Sequence, residues 1–263
     1  MKLSNTLTLI AFILFTYGCS NNDQTNSVAD EIVNEVESGE RSVTLSEASV
    51  ELTFNEAELT LASHKKLDST YSFNYSVKQY ELKDKTSDAD HRHCANSGKG
   101  QHIHFILNNA PYKAKYDASF EETLNPGTNV ILSFLSRSYH ESIKNGKAYE
   151  LTVLENSDVK TIDFDPNASH LFYSRPKGTY KGDDGKKILV DFYLINNKLS
   201  ENGNKVILTV DGEEFTITKW APYFIEGLES GEHKFNIKLV DSSNKLIEGP
   251  FNDSGERTII VEQ

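Results

Sequence analysis

"YSFNYSVKQYEL" at residues 71–82 and "ILVDFYLINNKL" at residues 188–199 decide how the chain folds. Laid over one another they set Phe73, Tyr75 and Val77 against Val190, Phe192 and Leu194, apolar at every second position. Successive side chains leave a strand on opposite sides, so a period of two marks one buried face of a β-strand. Two further pairs follow in the same order. "HIHFILNNAPY" (102–112) matches "KVILTVDGEEF" (205–215), with Asn108-Asn109 facing Asp211-Gly212 as turn pairs. "LNPGTNVILSFL" (124–135) matches "LESGEHKFNIKL" (228–239), a glycine turn followed by an alternating strand. Three aligned segments in one order read as a duplication.

Around these segments lie short runs of Val, Ile, Phe and Tyr, separated by turn residues about every 8 to 12 positions. No long 3.6-residue period competes with them. Each copy holds about seven short strands in roughly 100 residues, which resembles an immunoglobulin-like β-sandwich. The "L-x-x-G-x-H" pattern before an alternating strand is similar to the approach to the sixth strand of such domains. Over residues 45–263 the resemblance is to a fold, and to the immunoglobulin-like modules of bacterial surface lipoproteins; it implies no activity. The Cys and Trp landmarks of antibody domains are missing, and Trp220 in "KWAPYF" reads as packing. The expected fold class is all-β, two tandem immunoglobulin-like sandwiches at 43–156 and 157–263, the second a degenerate repeat. With its own alternating core faces, a fragment 160–263 is expected to fold alone.

The N-terminus speaks to location. Lys2 gives a positive start, Leu7 to Phe15 an apolar run too short to span a bilayer, and Gly18-Cys19 a small residue before a cysteine. "TYGCSNND" resembles a bacterial lipoprotein signal, which implies a signal peptide at 1–18 and lipidation of Cys19. Thr16 and Tyr17 depart from the usual residues of that motif. Residues 19–42, polar and acidic, suit a flexible tether. The protein is thus expected in the bacterial cell envelope, lipid-anchored at the outer membrane or cell surface. Cys19→Ser is expected to move it from the membrane to the soluble fraction, since the buried acyl methylenes hold it at about 0.8 kcal/mol each. A net charge of −12 argues against nucleic acid, whose phosphates need concentrated Lys and Arg.

One stretch stands out chemically. "HRHCANSGKGQHIHF", residues 91–105, holds His91, His93, Cys94, His102 and His104. Strand assignments from the sandwich pattern put B near 71–79, C near 102–108, F near 129–135 and G near 147–154. C and F are antiparallel neighbours, so the B–C and F–G loops share one end of the domain. His140, in "SRSYHES", is on the F–G loop. Six candidate metal ligands, His102, His104, His140, His91, His93 and Cys94, are expected to converge there. If Ile103, Phe105 and Leu107 face the core, His102 and His104 point together to the other face, about 7 Å apart. The second copy is an internal control: Lys205 and Ile207 replace this pair, and residues 200–204 replace the long connection 83–101. Imidazoles with a thiolate suit Zn or Cu rather than Ca or Mg, and Asp88, Asp90 or Glu141 offer a carboxylate. Binding is then expected to weaken below pH about 6.5. The competing reading is a polar loop whose histidines are ordinary surface.

Catalysis finds little support. Cys94 lacks a recognisable oxyanion hole, and "SGKGQ" lacks the spacing of a phosphate loop. Arg137 and Arg175 are candidates for binding an anionic group, against the plainer reading of structural ion pairs. Tyr112, Tyr116 and Phe120 read as packing. The sequence therefore leads to a non-enzymatic lipoprotein whose first domain presents a His-rich Zn or Cu site. The alternative is an interaction module gripping a protein, peptide or glycan through the same loops.

Overall fold

The computed structural model describes residues 43–49 and 53–262. The signal peptide, Cys19 and the tether to residue 42 lie outside the described residues. Among the described residues sixteen strands follow in order: β1 (Thr44–Glu47), β2 (Glu58–Lys66), β3 (Tyr71–Lys78), β4 (His102–Leu107), β5 (Lys113–Lys115), β6 (Ser119–Glu122), β7 (Thr128–Ser136), β8 (Tyr149–Glu155), β9 (His170–Arg175), β10 (Gly178–Lys181), β11 (Lys187–Ile195), β12 (Lys205–Val210), β13 (Glu213–Ile217), β14 (Tyr223–Glu226), β15 (Gly231–Val240) and β16 (Arg257–Glu262). The helical content among the described residues is two 3-10 turns, Ala89–His91 and Gly182–Gly185.

These strands build two β-sandwiches. The first sets a sheet β2-β3-β6 against a sheet β5-β4-β7-β8; the second sets β1-β14-β11-β9 against β10-β16-β15-β12-β13. The pairs read as repeats occupy equivalent places: β3 with β11, β4 with β12, β7 with β15. Both turn pairs are left-handed, with φ of 52° and 55° at Asn108 and Asn109 and 50° and 96° at Asp211 and Gly212. That is the backbone a two-residue hairpin turn requires. Phe73, Tyr75, Ile103, Phe105, Ile131 and Leu135 fill the first core, and their counterparts Val190, Phe192, Val206, Leu208, Phe235 and Leu239 the second.

A boundary at residue 43 for the first sandwich does not hold. β1 adds to the second sandwich, pairing antiparallel with β14 from Thr44 against Glu226 to Glu47 against Tyr223. Its backbone groups find their partners there, and not on the strands that follow it in sequence.

The sandwiches also share a third core. Ile106, Val130, Leu132 and Phe134, on the outer faces of β4 and β7, meet Phe172, Tyr193, Ile195 and Phe251 of the second sandwich. Every residue of β7 is buried as a result. Ser142 Oγ donates to Asp191 Oδ1 at 2.9 Å across this contact, and Lys144 pairs with the same carboxylate. Trp220 packs edge-on to Tyr193 and donates its indole N–H to the Phe192 carbonyl at 3.0 Å, the structural role read for it.

Candidate metal centre

β4 is where the site begins. Its odd residues Ile103, Phe105 and Leu107 turn into the first core, so His102 and His104 leave by the opposite face. That face looks toward the second sandwich, and both imidazoles are fully buried. The reading of His102 and His104 as ordinary surface is thereby overturned. His104 sits between Ala114 of β5 and Phe134 of β7, its ring 5.0 Å from that of Phe134. Its other side is covered by Tyr112, stacked at 3.5 Å and 7°.

His140 arrives from the end of β7. His102 pairs with Ser136, and the chain then makes a tight loop in which Arg137 N–H donates to the Glu141 carbonyl at 2.9 Å. His140 sits in that loop with φ of +70°, a left-handed conformation histidine tolerates better than most residues. Its Nδ1 is 3.2 Å from His102 Nε2, while His104 Nε2 is 3.0 Å from the same atom. One ligand atom from each of the three rings lies within 4.8 Å of the others. The Gly100 carbonyl lies 2.8 Å from His102 Nδ1 and accepts its N–H, leaving a bare lone pair on Nε2. Ser174 Oγ is 3.2 Å from His104 Nδ1 and the Tyr112 hydroxyl 3.2 Å from His140 Nδ1.

Electrostatics keeps all three rings neutral. Burial holds His102 down at about 4, opposed by its bond to Gly100 and aided by Arg175 and Lys177. His104 is held well below its usual value by burial, then by the two neighbouring histidines. His140 is pushed down by burial, then by Arg175 and His102. Neutral imidazole is the form that offers a lone pair to a metal ion.

The other three ligand candidates are elsewhere. His91 and His93 are exposed on the connection 83–101. Cys94 is buried with Ala48, Ala89, Tyr139, Leu189 and Phe224, where the connection tucks against the second sandwich. Burial pushes its thiol up to about 12, so it stays protonated at neutral pH and is a poor nucleophile, and it lies outside the group of ligand atoms that the three histidines form. The carboxylates are engaged too: Asp88 with Arg92 at 2.7 Å, Asp90 with Lys85, and Glu141 with Arg137 at 2.9 Å. That last pair is buried on both sides, so Arg137 is an ion-pair partner rather than an anion-binding residue.

The connection itself is ordered by the loop it faces. Thr86 N–H donates to Ser138 Oγ at 3.2 Å, Ser138 N–H to Thr86 Oγ1 at 2.8 Å, and Ser97 N–H to the Ser138 carbonyl at 2.8 Å. Tyr112, Ser174 and Gly100 are site residues that strand patterning alone does not pick out. Tyr112 carried a signal: the Asn108-Asn109 turn folds residues 113–115 back beside His104, which sets Tyr112 at its edge.

No protein-family model matches the chain, and no curated protein matches it. Among solved structures it is similar to the fibronectin(III)-like modules of Clostridium thermocellum CbhA, at 11% identity and TM-score 0.28, covering 78% of this chain and 94% of that one. It is also similar to Bacteroides ovatus SGBP-B of a mixed-linkage glucan utilization locus, solved with a mixed-linkage heptasaccharide, at 10% identity and TM-score 0.22, covering 84% of this chain and 70% of that one. Both scores are low, and the sandwich assignment stands on the strand pairings of the chain itself.

Proposed function

We propose that the protein is a non-enzymatic, lipid-anchored envelope protein whose first sandwich binds a transition-metal ion, Zn(II) or copper, through His102, His104 and His140. One observation carries this reading. Two ring nitrogens, His104 Nε2 at 3.0 Å and His140 Nδ1 at 3.2 Å, approach the single lone pair of His102 Nε2. One lone pair accepts one proton along its axis, so proton sharing satisfies at most one of the two approaches. A cation at the centre satisfies all three nitrogens. Metal–nitrogen bonds of about 2.0–2.1 Å put tetrahedral ligand atoms about 3.3 Å apart, close to the two approaches to His102 Nε2. An all-imidazole set with no thiolate or carboxylate favours Zn(II) and copper over Ca(II) or Mg(II).

The interaction-module alternative has less support, because His102 and His104 are fully buried and cannot touch a partner. The envelope location rests on residues 1–42 and is tested by fractionating the Cys19→Ser variant. For the metal site, untagged full-length protein is titrated calorimetrically with Zn(II) and with copper. One ion per chain is expected, with affinity lowered about 100-fold or more in His102→Ala/His104→Ala. Cys94→Ser, His91→Ala, His170→Ala and His233→Ala are expected to bind as the wild type does. No binding by the wild type, or equal binding by the double variant, removes the reading.

A further inference from the structure

The arginines of the described residues fall into two groups. Arg92 and Arg137 each hold a carboxylate, at 2.7 and 2.9 Å. Arg175 and Arg257 have none among the described residues. Arg175, buried at the end of β9, donates to the Tyr180 hydroxyl at 3.0 Å and to the Tyr112 hydroxyl. Arg257, opening β16, donates to the Asn109 carbonyl at 2.6 Å and lies over the Tyr173 ring. Lys177 is alike: its Nζ donates to the Tyr112 carbonyl at 2.6 Å and sits 4.0 Å from that ring. In a chain with 39 acidic residues, three neighbouring cations served by phenols and carbonyls are unusual.

Lys177, Arg257 and Ser174 line a cleft of about 450 Å³ between the sandwiches, with Pro111 on the facing side. Glu256 also reaches the cleft, but it pairs with Lys234 at 3.0 Å. The cleft is one side chain from the histidines, since Ser174 Oγ is 3.2 Å from His104 Nδ1. Tyr112, which Arg175 and Lys177 both engage, stacks on His104 and reaches His140. A divalent ion on three neutral imidazoles adds positive charge beside Arg175 and Lys177, and no carboxylate ligand offsets it. Charge buried in this way needs a counter-charge.

Resting on the metal reading above, we propose that this cleft binds a small oxyanion, a carboxylate or a phosphate-like group, and that anion and metal each strengthen the binding of the other. Coupling of this kind is reciprocal, and its usual size is about five- to 150-fold.

The Zn(II) affinity of untagged full-length protein is measured against a chromophoric chelator at constant ionic strength, without added oxyanion, with acetate and with sulfate. Sulfate stands in for phosphate, which precipitates zinc. One of the two is expected to tighten zinc binding about fivefold or more, and which one does so distinguishes carboxylate from tetrahedral recognition. In Lys177→Met/Arg257→Met, with its circular dichroism unchanged, the anion effect is expected to vanish while zinc still binds. Zinc binding that ignores both anions, or an anion effect intact in the double variant, overturns the cleft and leaves the metal site standing. Failure of the wild type to bind zinc removes both. A double variant that does not fold is replaced by Lys177→Gln alone, for which the anion effect is expected to fall at least by half.

Discussion

At the scale of single residues, burial rather than histidine itself sets the pH behaviour of the site. Free imidazole takes its proton near pH 6.5, while burial holds His102 at about 4. The unfolded chain therefore binds more protons than the folded one between those values. Metal-free protein is expected to be most stable above pH 6.5 and to lose stability as pH falls toward 4, by about 1.6 kcal/mol between 6.5 and 5 for His102 alone. Urea unfolding at both pH values checks this, and a flat profile would show that the ring is not desolvated. In the folded protein, proton competition with a bound metal would be delayed to the same low range. Affinity is thus expected to change little from pH 7 to 5, in contrast to the loss below 6.5 expected of a free imidazole. Gly100 supports the proposed site through its carbonyl, which holds His102 Nδ1. Its φ is +79°, and a Cβ there would lie 2.1 Å from the Lys83 carbonyl oxygen. Gly100→Ala is expected to cost about 2–4 kcal/mol and, by moving the carbonyl that orients His102, to weaken metal binding as well. Calorimetric unfolding and a zinc titration of this variant read the two effects separately.

At the scale of elements, β7 and its repeat β15 show how one strand pattern meets two environments. "HKFNIKL" alternates, with Lys238 out and Ile237 in, as a strand with one wet face should. The expectation that both are alternating strands therefore holds for β15 and not for β7: "NVILSFL" is nearly continuous in apolar residues, the pattern of a strand covered on both faces, and all of β7 is buried. Phe134 stands where the repeat has Lys238. Its ring packs 4.7 Å from Tyr193 of the second sandwich and 5.0 Å from His104. Phe134→Ala is expected to cost about 3–5 kcal/mol and Lys238→Ala less than about 0.5. Denaturant midpoints of the two variants test the shared core; equal shifts would mean that the outer face of β7 is not packed as described.

At the scale of the whole molecule, the two copies do not behave as beads on a string. Besides the shared core and the buried Lys144–Asp191 pair, β1 reaches across to complete the second sandwich. A fragment 160–263 would lack that strand and would present Phe172, Tyr193, Ile195 and Phe251 to water. The structure therefore replaces the expectation that it folds alone with a different one. The full chain is expected to unfold in one thermal transition, and the fragment to melt lower and to self-associate. Scanning calorimetry with sedimentation of both decides it, and a monomeric fragment as stable as the whole would restore the independent-domain view.

The strand class, the duplication and the faces of β4 were all legible in the sequence. A period of two is local, and it dictates that His102 and His104 share one side opposite Phe105. What covered that side was not local. Burial of the pair, the approach of His140 through a left-handed turn and the stacking of Tyr112 depend on how two sandwiches pack. So does the removal of Cys94, tucked against β11 and β14, and of Arg137, buried with Glu141. Alternation along a strand reports which residues point the same way. Only the packing of distant segments decides whether they point at water, at each other, or at a place for an ion.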